Sequence, residues 1–77
     1  MKTINDSDFD QKVLDSKVSV VKFTASWCAP CRALTPLLEK AAVDHPEIRF
    51  YEVDIEANPE LTEDYEVRSL PTTIFFH

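Results

Sequence analysis

Glycine is absent from the 77 residues of this chain, although proteins contain about 7% glycine on average. Glycine is the residue that adopts left-handed backbone conformations at the lowest cost. Without it, the turns have to be made by other residues with turn preferences. We therefore expect Asn, Asp, Ser and Pro to form them.

The sequence also lacks long apolar runs and any excess of positive charge. No segment reaches the ~18 to 20 apolar residues of a membrane span, and the amino-terminal MKTINDSDFD has no apolar stretch typical of a secretory signal. The net charge is −6, and the eight Lys and Arg residues are scattered along the chain. Basic stripes that bind nucleic acid are therefore not expected. These absences favour a cytoplasmic protein that binds neither membranes nor nucleic acids.

The composition predicts one small globular domain over residues 1–77. Hydrophobic residues make up 44% of the chain and charged residues 29%, which is typical of a folded soluble protein. No repeat, linker or low-complexity tract interrupts it. A core of this size supplies only about 3–5 kcal/mol, so little stability is held in reserve.

The hydrophobic pattern predicts alternating helices and strands. Ser7 and Asp10 resemble a capping box, and Asn58 followed by Pro59 resembles a helix start. The unit over 18–55 predicts two parallel strands joined by a right-handed crossover helix. The expected elements are helix 7–15, strand 18–24, helix 29 to about 45, strand 48–55, helix 58–65 and a last strand within SLPTTIFFH, with Thr3 and Ile4 adding a short edge strand.

The only two cysteines, Cys28 and Cys31, lie where the first long strand gives way to the long helix. Free N–H groups and the helix dipole at this position favour a thiolate over a thiol. A spacing of three residues places the second thiol about one turn away, so it can resolve a mixed disulfide formed by the first. Pro30 lies in the first helical turn, where its missing N–H costs little, and stiffens the turn. The pattern indicates a thioredoxin-like redox pair.

The cysteine pair has two alternative interpretations, a zinc site and a structural disulfide. A zinc site needs four ligands, and the remaining candidates are His45, His77 and carboxylates without finger-like spacing. A purely structural disulfide would close so short a loop that its entropic benefit is small. Both alternatives are disfavoured, and no metal or organic cofactor is expected.

Three segments, FTASWCAPCRALTP, YEVDIEANP and YEVRSLPT, give the chain a strong resemblance to the thioredoxin family over essentially all 77 residues. The resemblance implies an α/β, three-layer fold with a central mixed sheet of about four strands and helices on both faces. It also implies a chain shortened at its carboxyl end, because the family's pattern continues past His77 with another strand and a helix.

The resemblance further assigns roles to individual residues. Cys28 corresponds to the attacking thiolate and Cys31 to the resolving thiol, so we expect Cys28 to be solvent-accessible and Cys31 to be shielded. Pro36 corresponds to the proline that bends the long helix. The substrate-binding residues that the resemblance implies lie around the cysteines and include a cis-proline at Pro71: Trp27, Ala29, Pro30, Leu70 and Pro71.

Three positions depart from the family's pattern. Ala29 replaces a usual glycine, Lys22 stands at the position of a buried acid, and Glu52 stands where lysine is common. We predict that Lys22 and Glu52 form a buried pair of reversed sign, since an isolated buried charge is costly. In the alternative, each side chain reaches the surface separately. With Pro30, the two residues would support proton transfer or the pKa of the thiols, with Glu52 receiving the proton from Cys31.

The function that follows is reduction of protein disulfides through the C-x-x-C dithiol. By resemblance, the electrons come from a flavin- and NADPH-dependent thioredoxin reductase. The alternative is a truncated thioredoxin-fold module that binds a partner protein, with a vestigial or regulatory cysteine pair. The apolar final strand, TTIFFH, is expected to form a sheet edge through which two copies can pair as a homodimer.

Overall fold

The structure, a computed structural model, describes residues 1–77 and contains four strands, two α-helices and one π-helical segment. No helix combines the length and the hydrophobicity that a membrane span requires. The strands are β1 (Lys2–Thr3), β2 (Ser19–Thr24), β3 (Arg49–Asp54) and β4 (Thr72–Phe76), the helices are α1 (Ala29–Asp44) and α2 (Pro59–Asp64), and the π-helical segment is Asp10–Leu14.

The strands form one mixed sheet in the order β1-β3-β2-β4. β1, β3 and β2 are parallel, and β4 is antiparallel to β2. Residues 19–23 of β2 are all buried, because this strand is central and is covered on both faces. The expected mixed sheet of about four strands is confirmed, and β4 is an edge strand.

Helices lie on both faces of the sheet, as expected. Since successive strand residues point to opposite faces, Val21 and Phe23 share one face and Lys22 points to the other. The first face carries the main core, to which the π-helical segment contributes Val13 and α2 contributes Leu61. The second face carries α1, whose Thr35 contacts Lys22.

The apolar stripe expected along α1 is only partly buried. Cys31 is the one fully buried residue of this helix, while Leu34 and Leu38 are half-buried and Leu37 is exposed. The reason is that α1 is the only helix on its face of the sheet. The expected helix bounds are otherwise confirmed to within one residue, and Pro36 lies inside the helix.

The predicted first helix is present but shorter than expected, and its capping box is wrong. Only Asp10–Leu14 is helical, with π-type geometry, and no side chain caps its amino end. Asn5 and Asp8 make the preceding turn instead: the Asn5 side-chain oxygen accepts the N–H of Ser7 at 3.0 Å, and Asp8 Oδ1 accepts the N–H of Asn5 at 2.7 Å. Asn and Asp side chains compete well for such backbone groups, which places the turn earlier than Ser7 alone suggests.

Asn58 occupies the N-cap position of α2, but its side chain does not cap the helix. Its Nδ2 donates to the Asp54 carbonyl at 2.9 Å, and its Oδ1 accepts the backbone N–H of Asp6 at 2.9 Å. Asp6 Oδ1 in turn accepts the N–H of Leu61, in the first turn of α2, at 3.2 Å. The cap of α2 therefore comes from a loop more than fifty residues earlier.

One residue, Glu66, adopts a left-handed conformation, with φ of 51°. We expected the turns of this glycine-free chain to rest on Asn, Asp, Ser and Pro, so this position differs from that expectation. A glutamate pays a steric cost there because its Cβ approaches the following carbonyl. Glu66 follows the end of α2, where proteins commonly place glycine.

Replacing Glu66 with glycine should therefore stabilise the protein. We expect Glu66→Gly to raise the free energy of unfolding by about 0.5–1 kcal/mol, because relief of the left-handed strain exceeds the added flexibility of the unfolded chain. Urea denaturation measures the change. Glu63→Gly, at an exposed position within α2, is the matched control and should lower stability by about 1 kcal/mol. Equal losses in both variants would contradict the strain at Glu66.

Candidate active site

The two cysteines form a disulfide at the amino terminus of α1, with their Cα atoms 5.3 Å apart. Cys28 is the N-cap residue in an extended conformation, and its Sγ accepts the backbone N–H of Cys31 at 3.2 Å. Pro30 lies in the first turn of α1, as predicted. A thiolate at Cys28 would thus face an N–H donor and the positive end of the helix.

Both cysteines are buried in this disulfide form. Cys28 is 4% exposed and Cys31 is fully buried, with Ala25, Ile55 and Leu70 packed against them. The expectation that Cys28 is solvent-accessible is therefore wrong for the disulfide form. The expectation that Cys31 is shielded agrees with the structure.

An open groove of about 530 Å³ runs beside Cys28. Four of the predicted substrate-binding residues line it, namely Trp27, Ala29, Pro30 and Leu70. Pro71 does not line it, although the Leu70–Pro71 peptide bond is cis, as the resemblance implies. The Trp27 side chain is exposed at the rim, so a flat apolar surface is available next to the sulfur.

Sequence reasoning missed the other groove residues. Ile55 follows β3 directly, and the carboxyl ends of the parallel strands β2 and β3 meet at one edge of the sheet, which brings it beside Cys28. Val67, Arg68 and Ser69 come from the segment before the cis-proline. Their position within YEVRSLPT was the available signal.

Lys22 and Glu52 form an ion pair behind the cysteines, so the predicted pairing is present in the structure. They are register partners on β2 and β3, with Lys22 Nζ 3.1 Å from Glu52 Oε2. The Lys22 side chain is 1% exposed and that of Glu52 is 29% exposed. Lys22 Nζ also donates to the Cys31 carbonyl at 3.2 Å and to Thr35 Oγ1. The pair therefore links the sheet to the first two turns of α1.

A second, polar pocket of about 390 Å³ opens beside this pair. Arg32 and Asp54 line it together with Lys22 and Glu52. Arg32 Nη1 donates to the Ser26 carbonyl at 2.7 Å and so fixes the loop before Cys28. The disulfide thus has an open, largely apolar groove on one side and a polar, charge-balanced pocket near its other side.

Two groups have shifted pKa values, and neither lines the groove. Burial, with smaller contributions from Asp10 and Asp64, raises the pKa of Tyr65. A hydrogen bond with the Lys12 side chain, followed by the charge of that ammonium, lowers the pKa of Lys2.

Comparisons with known proteins agree with this geometry. The sequence profile of the Thioredoxin family matches residues 1–77. The chain belongs to the thioredoxin family. A thioredoxin of Mycoplasmoides gallisepticum is 42% identical over 72 residues, which cover 94% of this chain and 72% of the relative.

Solved thioredoxin structures match the fold closely. The thioredoxin of Fasciola hepatica superposes with a TM-score of 0.91 at 33% identity, covering 99% of this chain and 76% of that one. The thioredoxin of Plasmodium falciparum superposes with a TM-score of 0.94 at 27% identity, with the same coverage. With a C-x-x-C disulfide at the helix terminus, this thioredoxin-family chain is a thiol-disulfide oxidoreductase that reduces protein disulfides.

The Lys22–Glu52 ion pair should be energetically coupled. We expect Lys22→Met to be clearly destabilising, because it strands a half-buried carboxylate, and Lys22→Met with Glu52→Gln to recover much of the loss. Denaturant unfolding of the wild type, both single variants and the double variant should give a coupling energy of about 1–3 kcal/mol. Additive effects would mean that the two side chains do not stabilise each other.

Proposed function

We propose that Cys28 is the attacking thiolate and Cys31 the resolving thiol of this oxidoreductase. Cys28 Sγ attacks one sulfur of a substrate disulfide, a mixed disulfide forms, and the other substrate sulfur leaves as a thiolate. Cys31 Sγ then attacks Cys28 Sγ, the mixed disulfide breaks, and the second substrate sulfur leaves. The protein dithiol is oxidised to the disulfide, and the substrate disulfide is reduced to two thiols.

The geometry of the helix terminus supports this order of events. The N–H of Cys31 already points at Cys28 Sγ, and Cys28 lies beside the open groove while Cys31 does not line it. The groove therefore leads a substrate towards Cys28 rather than towards Cys31. We assign Pro30 to the stiffness of this turn, and the Lys22–Glu52 pair to the control of deprotonation at Cys31.

The groove supports an extended protein segment as substrate. Its walls are mostly apolar, with Trp27 at the rim, and its far side is the segment that ends at Leu70 and the cis-Pro71. We propose that Trp27, Ala29, Pro30, Leu70 and Pro71 contact the residues on either side of the substrate disulfide. Arg68 adds a positive charge to this otherwise uncharged wall.

We further propose the partners and setting of the reaction. Residues 1–77 act as one thioredoxin-like domain in the cytoplasm, where a reducing environment keeps a dithiol available. A flavin- and NADPH-dependent thioredoxin reductase regenerates that dithiol. Membership in the thioredoxin family supports each of these points.

Reduction of insulin by dithiothreitol tests the assigned roles. The wild type should accelerate insulin precipitation, and Cys28→Ser should abolish the acceleration because no attacking thiolate remains. Cys31→Ser should instead accumulate a mixed disulfide with insulin, which non-reducing electrophoresis and mass spectrometry detect. Trapping by Cys28→Ser rather than by Cys31→Ser would reverse the roles. No acceleration by the wild type would favour the protein-binding module with a vestigial cysteine pair.

We also propose that two copies associate through β4. This strand pairs on one edge only, carries no lysine or proline, and exposes 67% of Phe75. Such an edge presents free backbone groups to a second strand. Antiparallel pairing of two β4 strands would place the two Phe75 side chains close to each other.

Sedimentation equilibrium over a wide concentration range tests this association. We expect a monomer–dimer equilibrium that Phe75→Lys shifts towards monomer, because two lysines at the pairing edge repel each other. Val43→Lys is the matched control, since Val43 is exposed on α1 and away from β4. A monomer at every concentration would refute the association, and a shift caused only by Val43→Lys would place the contact on α1.

A further inference from the structure

The charge order of the Lys22–Glu52 pair has a direct consequence for the resolving cysteine. The ammonium is the inner member of the pair, at 1% exposure, and the carboxylate is the outer member, at 29%. The Lys22 ammonium donates to the backbone carbonyl oxygen of Cys31. The positive charge is therefore buried against the resolving residue, with the negative charge on the solvent side.

Lys22 Nζ has no hydrogen left to donate to sulfur. A lysine ammonium has three N–H donors. All three have acceptors here: Glu52 Oε2, the Cys31 carbonyl and Thr35 Oγ1. Thr35 Oγ1 donates onward to the same Cys31 carbonyl, so the network is closed. Lys22 therefore acts on the Cys31 sulfur as a fixed charge and not as a proton donor.

The Lys22 ammonium lies close enough to the Cys31 sulfur for a charge on that sulfur to interact with it. Nζ is 3.2 Å from the Cys31 carbonyl oxygen, and standard covalent geometry keeps that oxygen within about 5 Å of the sulfur of the same residue. The separation of Nζ and Sγ is then at most about 8 Å, a distance at which unit charges interact appreciably in a protein interior.

The polar pocket beside Cys31 also contains other charged side chains. The polar pocket contains four charged side chains, Lys22 on β2, Arg32 on α1, and Glu52 and Asp54 on β3, whose formal charges sum to zero. Arg32 is held by the Ser26 carbonyl, and Asp54 Oδ1 accepts the N–H of Glu56. Of the four, only Lys22 has its charged group bonded to Cys31.

We propose that Lys22 is a positioning residue whose buried ammonium favours the thiolate of Cys31, with Glu52 acting as its counter-ion and not as the proton acceptor. This inference deepens, and rests on, the proposed role of Cys31 as the resolving thiol. The Cys31 proton goes to solvent before resolution. The Cys31 thiolate then forms the bond to Cys28 Sγ, and the substrate sulfur leaves with the electron pair of the broken bond.

The pH titration of Cys31 tests the proposal without any substrate. In a Cys28→Ser background, the ultraviolet absorbance of the thiolate reports Cys31 alone. We expect Lys22→Met to raise the titration midpoint by about one pH unit, because the thiolate loses its neighbouring cation. Glu52→Gln should lower the midpoint, because it removes the anion and keeps Lys22. Glu47→Gln, at an exposed acid in the turn before β3, is the matched control and should leave the midpoint unchanged.

The rate of resolution separates a counter-ion from a base. In the protein with both cysteines, Glu52→Gln should resolve a preformed mixed disulfide at least as fast as wild type at neutral pH. Slower resolution at every pH would make Glu52 the proton acceptor and overturn the proposal. An unchanged or raised titration midpoint in Glu52→Gln would also overturn it.

Circular dichroism checks that each variant is folded. If Lys22→Met does not fold, the Glu52→Gln result decides the question. If the titration midpoints do not shift as expected while insulin reduction is normal, this inference alone is refuted. Loss of trapping by Cys31→Ser would instead refute the proposed roles.

Discussion

The position of the redox pair depends on the central strand β2. Hydrogen bonds hold β2 to β3 on one side and to β4 on the other, and residues 19–23 are buried. A strand paired on both edges has a fixed register, because a slip of one residue would turn every side chain to the wrong face. Since β2 ends at Thr24, the turn that carries Cys28 begins from a fixed point. Ala25, buried directly after the strand, packs against both cysteines.

A side chain of the same strand also holds α1 against the sheet. Lys22 reaches across the layer to the Cys31 carbonyl and to Thr35, so one side chain of the sheet binds the first two turns of the helix. This polar contact matters more here than in a fully covered helix, because only Cys31 of α1 is completely buried. The main hydrophobic core lies on the opposite face, around Phe9 and Phe23, and Ile55 and Leu70 pack against both this core and the cysteine cluster. The site is thus held by hydrogen bonds and an ion pair on one face, and by apolar packing through β2 on the other.

Much of this arrangement could be predicted from the sequence, because repeating patterns specify it. The apolar strands, the helix after Ala29 and the cysteine pair at its amino terminus all follow from local periodicity and spacing. The cap of α2 could not be predicted, since the Asp6 carboxylate that accepts the Leu61 N–H lies far away along the chain. The start of the first helix was predicted too early, because the Asn5 and Asp8 side chains form a turn at the point where Ser7 resembles a helix cap. Rules based on near neighbours identify elements but not the distant partners that fix their ends.

The reversed ion pair illustrates the same limit within the site. The sequence indicated that Lys22 and Glu52 exchange the charges usual in the family, but not which charge lies deeper. Their strands decide this: Lys22 is on the central β2, whereas Glu52 is on β3, beside an edge strand that pairs with it over only two residues. The lysine is therefore enclosed and the glutamate reaches solvent. An exchange of charges between two neighbouring strands is thus not symmetric, because it reverses the sign of the charge nearest the resolving cysteine while leaving the net charge of the pair at zero.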